Sequence, residues 1–410
     1  MGEYNNRVMK YRMENITNIK AIIICDGDPW GIPKGGSTTF GKYMLKYFGK
    51  KVAIASPCDD DSIPFGKWVL RNYKDYCVPY LSLGFNKVSS GSKPFIPARV
   101  KLLLNSLLCK PQLRKIGVKN LMVLSPELMF SLSSSRWDSV CLYMAGVNNP
   151  VSKSRYHIFR RLDKCYDIYF AHVLNKTDHL TILACADEAH IHEFQKKYGI
   201  IEKRINLEPV NSYYDSDIFF PVSIECARHN LGLDLSSIVL VTVGRLNEFK
   251  GWKFLLNVIS ELRVSGLNVK LIFVGDGEDR RKIRYEAEKM RLSNQIDITG
   301  LLSQQDVSSY INASNICVFG SYAEGRSMAM IECIACGKPL VTTEVSGTKD
   351  IIKEGINGFI INDHNTTEFA TKVMKALFLK DAKEASIKIA TRYSSENFYE
   401  DIINAWPILS

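Results

Sequence analysis

Short, wholly apolar runs recur along this chain with helical stretches between them, and the pattern starts twice. Ala21-Ile-Ile-Ile-Cys25, Val52-Ala-Ile-Ala55, Leu121-Met-Val-Leu124, Val140-Cys-Leu-Tyr143 and Thr181-Ile-Leu-Ala184 form one series. Ile238-Val-Leu-Val-Thr-Val243, Lys270-Leu-Ile-Phe-Val274, Ile296-Asp-Ile-Thr299, Ile316-Cys-Val-Phe319, Pro339-Leu-Val-Thr342 and Gly358-Phe-Ile-Ile361 form the other. Runs this short, without a polar alternate, suit strands buried on both faces of a parallel sheet. Helical spacing between them, as over Phe40 to Tyr47, supplies the layers that cover such a sheet. A chain of 410 residues also exceeds one ordinary core. The expected fold class is therefore α/β, with two doubly wound parallel sheets and right-handed crossovers. Asn206 to Ser223, with Pro209, Pro221 and a polar and aromatic run, reads as the linker. The expected domains are 1–208 and 223–390, followed by a closing helix within 391–410. In that last segment Phe398, Tyr399, Ile402, Ile403 and Trp406 recur on one apolar face of a helix spanning Tyr393 to Trp406.

The chemistry concentrates in Glu324-Gly-Arg-Ser-Met-Ala-Met-Ile-Glu332. A buried strand at Ile316–Phe319 precedes it, and a glycine turn opens what reads as a helix. Carboxylates eight residues apart fall about two turns apart on one helical face. Backbone N–H groups at the helix start are unpaired and attract anions. A nucleotide sugar suits such a place, its diphosphate by the helix start and its hydroxyls on the carboxylates. Gly244-Arg-Leu-Asn-Glu-Phe-Lys-Gly251 also follows a strand, and Arg245 and Lys250 can neutralise a departing diphosphate. Gly275-Asp-Gly277 makes a tight turn at another strand end, and Gly300 with Leu301 can approach a base. In the first half Gly35 and Gly36 leave backbone N–H groups free to meet a phosphate.

Charge is lopsided. Residues 1–210 carry 31 Lys and Arg against 18 Asp and Glu, whereas the remainder carries 22 against 25. Between Tyr76 and Pro126 there is no acidic residue, yet Lys87, Lys93, Arg99, Lys101, Lys110, Arg114, Lys115 and Lys119 occur. Arg99 to Lys110 reads as a cationic amphipathic helix, which suits an anionic membrane surface and equally an ordinary wet helix face. No aromatic-plus-basic motif points to nucleic acid. No apolar run is long enough to span a bilayer, and Met1 to Lys20 lacks an apolar signal core. Eleven scattered cysteines fit a reducing cytoplasm, and Cys333 and Cys336 read as packing residues within a helix. Asp59-Asp-Asp61 lies in a polar loop, so no metal site is expected. A nicotinamide enzyme would need a G-x-G-x-x-G after the first strand, and Asp26-Gly-Asp-Pro-Trp-Gly lacks it.

Gly-Arg-Leu at 244–246, Lys250-Gly251, Gly275-Asp-Gly277, Gly300, the spaced glutamates and Ala335-Cys-Gly-Lys-Pro339 occur in this order, followed by Val345-Ser-Gly347, Asp350-Ile-Ile352 and Gly355-Ile-Asn-Gly-Phe359. In that order they resemble the C-terminal domain of family 4 retaining glycosyltransferases, group 1 enzymes of the GT-B fold. The first half matches only through Gly35-Gly36 and Pro209-Val-Asn211. The resemblance implies two Rossmann-like domains facing across a cleft, the first for the acceptor and the second for the nucleotide sugar. It assigns Glu324 to the donor sugar, Glu332 to the ribose, and Arg245 and Lys250 to the diphosphate. Gly244, Gly275, Gly300, Leu301, Gly325, Arg326, Ser327 and Met328 would line the substrate. It further implies metal-independent transfer with retention at the anomeric carbon, and a final helix that crosses back to the first domain. Together with the basic first half, it suggests a lipid-linked glycan acceptor at the inner face of the cell membrane, in O-antigen or capsule synthesis. Two departures stand out. Arg326 occupies a place often aromatic in the family, and Ala145 stands where many members have a His. His157, His172 and the His190-x-His192 pair are not placed as substitutes by any spacing. A nucleotide-sugar epimerase or an inactive binding protein of the same fold are the alternatives.

Overall fold

The computed structural model describes residues 18–32, 35–85, 96–132, 137–147, 149–152, 160–201 and 204–410. Lys87, Lys93 and His157 lie outside the described residues. Two compact units divide the chain. One holds the described residues up to Val210 together with Phe398–Ser410, and the other is Asn211–Asn397.

The first unit is built on β1 (Ala21–Ile24), β2 (Val52–Cys58), β3 (Trp68–Tyr73), β4 (Tyr76–Phe85), β5 (Asn120–Val123), β6 (Ser139–Met144), β7 (Leu180–Ala184) and β8 (Ile205–Pro209). They lie in the order β3-β4-β2-β1-β5-β6-β7-β8. All of β1 and the first five residues of β2 are buried, as expected of central strands covered on both faces. Two corrections to the sequence reading follow. The sheet is not wholly parallel, because β3 runs antiparallel to β4 with Tyr73 opposite Tyr76. The hairpin turns through Lys74, at φ 52°, and Asp75, so no glycine advertises it. The segment read as a linker also begins with a strand: β8 pairs with β7 at the sheet edge, where Pro209 is tolerated.

The second unit holds β9 (Ile238–Val243), β10 (Val269–Val274), β11 (Ile296–Gly300), β12 (Ile316–Phe319), β13 (Leu340–Thr343) and β14 (Gly358–Ile361). Their order is β11-β10-β9-β12-β13-β14, and every pairing is parallel. In both sheets the chain first winds one way from its opening strand and then reverses. The reversals fall between β1 and β5 and between β9 and β12. Side-by-side loops diverge at such points and leave a crevice beyond the carboxyl ends of the strands.

The closing segment is shorter than predicted: its α-helix covers Phe398–Ala405 and is preceded by single 3₁₀ turns at Thr391–Tyr393 and Ser395–Asn397. Its apolar face is the expected one. Phe398 sits among Phe40, Tyr43 and Tyr47, and Tyr399 stacks on Phe48 with 5.0 Å between ring centroids. Trp406 is buried and donates from Nε1 to Ser139 Oγ at 3.0 Å. Lys51 Nζ donates to the Leu409 carbonyl at 2.9 Å. The segment thus completes the core of the first unit. Trp406→Ala removes a fully buried indole and is expected to destabilise that unit by about 3–5 kcal/mol. Urea unfolding followed by circular dichroism checks this, and a loss below about 1 kcal/mol would mean the segment is loosely held.

Candidate functional site

Two loops meet at the reversal in the second sheet. The loop after β9 runs Gly244 to Gly251, and that after β12 runs Gly320 to Ser327. Their approach is backbone on backbone. A Cβ on Gly251, whose φ is +67°, would stand 1.7 Å from the Gly320 carbonyl oxygen, so only glycine fits. Tyr322 N–H donates to the Phe249 carbonyl at 2.8 Å, closing the same seam. Lys250 ends a 3₁₀ turn whose Asn247 side chain accepts from the Lys250 N–H. From there Lys250 Nζ reaches Glu324 Oε1 in an ion pair. Ser321 Oγ donates to that same oxygen at 2.9 Å. Glu324 keeps 12% of its side chain exposed and Lys250 29%, so the pair is sheltered yet within reach of a ligand.

The loop after β10 joins them. A Cβ on Gly275 would stand 2.1 Å from the Gly244 carbonyl oxygen, and Leu246 N–H donates to the Asp276 carbonyl at 3.0 Å. Glu278 then holds Arg245, whose Nε lies 3.0 Å from Glu278 Oε2. Gly300, at φ +82°, bridges to Gly275, while Leu301 is exposed beside it. A shallow depression in this region is lined by Gly244, Arg245, Lys250, Phe319 and Ser321 among others.

The geometry of the glutamates corrects the sequence reading. Glu324 is not on the helix. The helix is Met328–Ala335 with Ser327 as its N-cap, and Glu324, Gly325 and Arg326 lie in the loop ahead of it. No side chain caps this helix and its first turn has no acid, so its N–H groups stay available to an anion. Arg326 bridges two groups, with Nη1 on Asn211 Oδ1 and Nη2 2.9 Å from Asp350 Oδ2. Ser212 Oγ donates to the Arg326 carbonyl at 2.7 Å. Glu332 lies inside the helix, 9% exposed, and burial pushes its carboxyl up to about 7. Cys333 and Cys336 are buried in the core beside it.

Gly244, Arg245, Lys250, Glu324, Gly325 and Arg326 therefore lie in the two loops at one reversal point, with Gly275 against Gly244; Gly300 and Leu301 lie at the end of the edge strand β11, Glu332 lies inside the following helix, and Gly35 and Gly36 belong to the other unit. There Gly35 precedes the helix Gly36–Phe48, and its carbonyl accepts from Thr38, Thr39 Oγ1 and the Thr39 N–H. Ala145 is exposed just beyond β6, and His172 is exposed on the helix Asp163–Lys176. His190 bonds Asp187 at the start of the helix Glu188–Tyr198. Among the described residues no three His, Cys, Asp or Glu side chains are grouped to hold a metal. Sequence reasoning missed Ser321 and Glu278, and quoted Asn211 and Asp350 only within motifs, without a partner. Glu278 follows the Gly275-Asp-Gly277 turn directly and was within reach of inspection, whereas Asn211 and Asp350 are remote in sequence from Arg326.

Glu332 yields a prediction of pH dependence. Unfolded, its carboxyl titrates near 4.5; folded, it keeps its proton up to about 7. The folded state binds the extra proton in that window, so its contribution to stability falls as pH rises from 4.5 through 7. The full fall is of order 3 kcal/mol. Glu332→Gln removes it, so wild type and variant should diverge in unfolding free energy between pH 5 and pH 8, the wild type losing ground (roughly the window above). A difference that does not change with pH would sink the assignment.

Comparison with known proteins gives a family similarity and a fold. Residues 223–393 match the family described as glycosyl transferases group 1. An alpha-D-kanosaminyltransferase from Streptomyces kanamyceticus is 29% identical over 170 residues, 40% of this chain and 44% of that protein. The chain thus matches less than half the length of that relative. The structure of Anabaena Alr3699/HepE in complex with UDP and glucose superposes with a TM-score of 0.70 at 14% identity, over 94% of this chain and 99% of that one. WaaG, a glycosyltransferase involved in lipopolysaccharide biosynthesis, gives 0.68 at 19% identity over 95% and 99%. At these identities the structures establish the fold, GT-B, with its two Rossmann-like units. Residues 223–393 are thus similar to the glycosyl transferases group 1 family, and the GT-B fold extends over nearly the whole chain.

Proposed function

We propose that this chain is a retaining glycosyltransferase. It moves a hexosyl group from a nucleotide-diphosphate donor, held by the second unit, to a lipid-linked glycan acceptor bound by the first, in synthesis of a bacterial surface polysaccharide such as O-antigen or capsule. The observation that carries the reading is the convergence of Arg245, Lys250 and an uncapped helix start around Glu324 at one sheet reversal. The family match over residues 223–393 and the UDP in the structurally similar Anabaena protein support the donor class.

The chemistry follows from charge. Cleaving the bond between the anomeric carbon and the phosphate oxygen leaves negative charge on the diphosphate and positive charge on the sugar. Arg245, Lys250 and the N–H groups at Ser327 and Met328 stabilise the first. Glu278 and Glu324 pair with those cations, so an arriving diphosphate competes with them and frees Glu324 for sugar hydroxyls. Glu332, buried one helix turn deeper, accepts from the ribose. The acceptor oxygen attacks from the face the diphosphate leaves, and a phosphate oxygen takes the acceptor proton. That step retains configuration and asks for no resident metal. Glu324→Ala and Lys250→Ala should each lower transfer on the order of 10²-fold or more while circular dichroism stays unchanged, and EDTA should leave the wild type active. Near-normal turnover in either variant would remove the donor-site assignment.

The lipid-linked acceptor rests on the basic first unit and on the setting of the WaaG relative. On the helix Ala98–Leu108 the residues Leu104, Leu107 and Leu108 are exposed, and Lys101, Arg114 and Lys115 flank them. Arg99 is not part of this face, since it pairs with Glu127. Among the described residues no helix is long and apolar enough to cross a membrane, so docking would be peripheral. Each cation near an anionic surface adds about 1 kcal/mol, and the leucines enter the headgroup boundary. Co-sedimentation should give binding to anionic vesicles, lost in high salt and weakened about tenfold or more by Leu107→Ser with Lys101→Ser and Lys115→Ser. A wild type that ignores anionic vesicles at low salt would refute the membrane acceptor.

A further inference from the structure

Glu324 is the fifth residue of the loop after β12, and three of the four residues ahead of it are tied down through their backbone. The Ser321 carbonyl accepts from Thr343 Oγ1 at 2.6 Å, and the Tyr322 N–H donates to the Phe249 carbonyl at 2.8 Å. Thr343 ends β13 and Phe249 lies in the loop after β9, so these two ties come from the strands on either side of β12. The third comes from farther away. His364, in the loop after β14, donates from Nε2 to the Gly320 carbonyl at 3.0 Å, and β14 lies two strands from β12.

His364 meets this loop with its ring as well. The imidazole lies flat on the Tyr322 ring, with 3.9 Å between centroids and 10° between planes. It meets Phe254 edge to face at 4.9 Å. Phe254 stands three residues after Gly251, and a Cβ on Gly320 would come 2.7 Å from its ring. One imidazole therefore touches both sides of the seam between Gly251 and Gly320. Its own place is fixed by a regular element. Asn365, the next residue, caps the helix Thr366–Ala376, and Phe369 of that helix packs on Phe254 at 5.2 Å. A carbonyl only accepts, so Nε2 carries the hydrogen, as it can in the neutral ring and does in the cation. The contact asks for geometry and not for a change of protonation.

We propose that His364 is a positioning residue for Glu324. It holds the Gly320 carbonyl and the Tyr322 ring, and through them it sets where the Glu324 carboxylate stands against Lys250 and Ser321. The two holds are separable. The hydrogen bond fixes the peptide between Gly320 and Ser321, one residue ahead of the hydroxyl that bonds Glu324. The stack braces Tyr322, which is otherwise 57% exposed. A carboxylate that must leave Lys250 and meet sugar hydroxyls depends on a loop that does not drift, because small misplacements cost large factors in rate. The consequence for turnover rests on the donor reading above, whereas the hold on the loop does not.

The test compares three substitutions in the full chain. His364→Gln keeps a side-chain N–H for the carbonyl, His364→Phe keeps a flat ring for Tyr322, and His364→Ala keeps neither. Hydrogen exchange over residues 320–325, read by mass spectrometry, should quicken about tenfold in the alanine and phenylalanine variants and stay within about threefold of wild type in the glutamine variant. Turnover is followed as release of nucleotide diphosphate in water from UDP-glucose, UDP-N-acetylglucosamine, GDP-mannose and dTDP-glucose. On the sugar nucleotide that the wild type turns over, kcat should fall about tenfold with alanine or phenylalanine and return to within about threefold with glutamine. A residue needed only for stability would lower the melting temperature in all three variants and leave kcat of the folded protein alone. Exchange that is unchanged in the alanine and phenylalanine variants overturns the hold on the loop. A kcat that is unchanged, or that glutamine does not restore, overturns the positioning of Glu324. A wild type that turns over none of the four removes the donor reading, and exchange alone then decides on His364.

Discussion

The contact between Gly251 and the Gly320 carbonyl is the constraint on which the second unit's site depends. It brings two loops within backbone contact at the point where the sheet changes direction. Lys250, next to Gly251, can then meet Glu324, four residues beyond Gly320. A side chain at Gly251 would part the loops, and the ion pair and the Tyr322 to Phe249 hydrogen bond would go with them. The neighbouring seam works alike: Gly275 and Gly277 press against Gly244 and Leu246, fastening the loops after β9 and β10 to each other. The glycines that read as phosphate contacts thus have a prior role in fastening loop to loop.

Much of this was legible before any coordinates. Buried parallel strands announce themselves as unbroken apolar runs, and every such run in the second half became a strand. The hairpin of β3 and β4 was illegible because Trp68–Tyr73 mixes Arg71 and Asn72 among its apolar residues and turns through Lys74-Asp75. Glu324 and Glu332 were wrongly placed on one helix. Their spacing fits a continuous helix, but Ser327, a favoured N-cap residue, is extended and helical dihedrals begin only at Met328. Partners from distant segments were beyond reach. Asn211 and Asp350 meet through Arg326 only once the sheet has brought their loops together.

The cations of the site are nowhere bare. Arg245 has Glu278, Lys250 has Glu324 and Arg326 has Asp350. Such pairing keeps a cluster of positive charge from repelling itself while no ligand is bound, and it fixes long side chains that would otherwise lose rotamer freedom on binding. The first unit repeats the arrangement with Arg99 and Glu127 at its own reversal, so each half of the chain places its preformed ion pair at the same topological position.

The closing segment Phe398–Ser410 belongs to the first unit although the whole of Asn211–Asn397 precedes it in the chain. In order of synthesis, the second unit has all its residues before the first one does. Ribosome-bound chains therefore hold a first unit whose pocket around Phe40, Tyr43 and Ser139 still lacks its aromatic plug, while the second can already close its core. The unit that starts first finishes last, and its unfilled apolar pocket is exposed to chaperones, or to misassembly with a neighbouring chain, for as long as translation of the other takes.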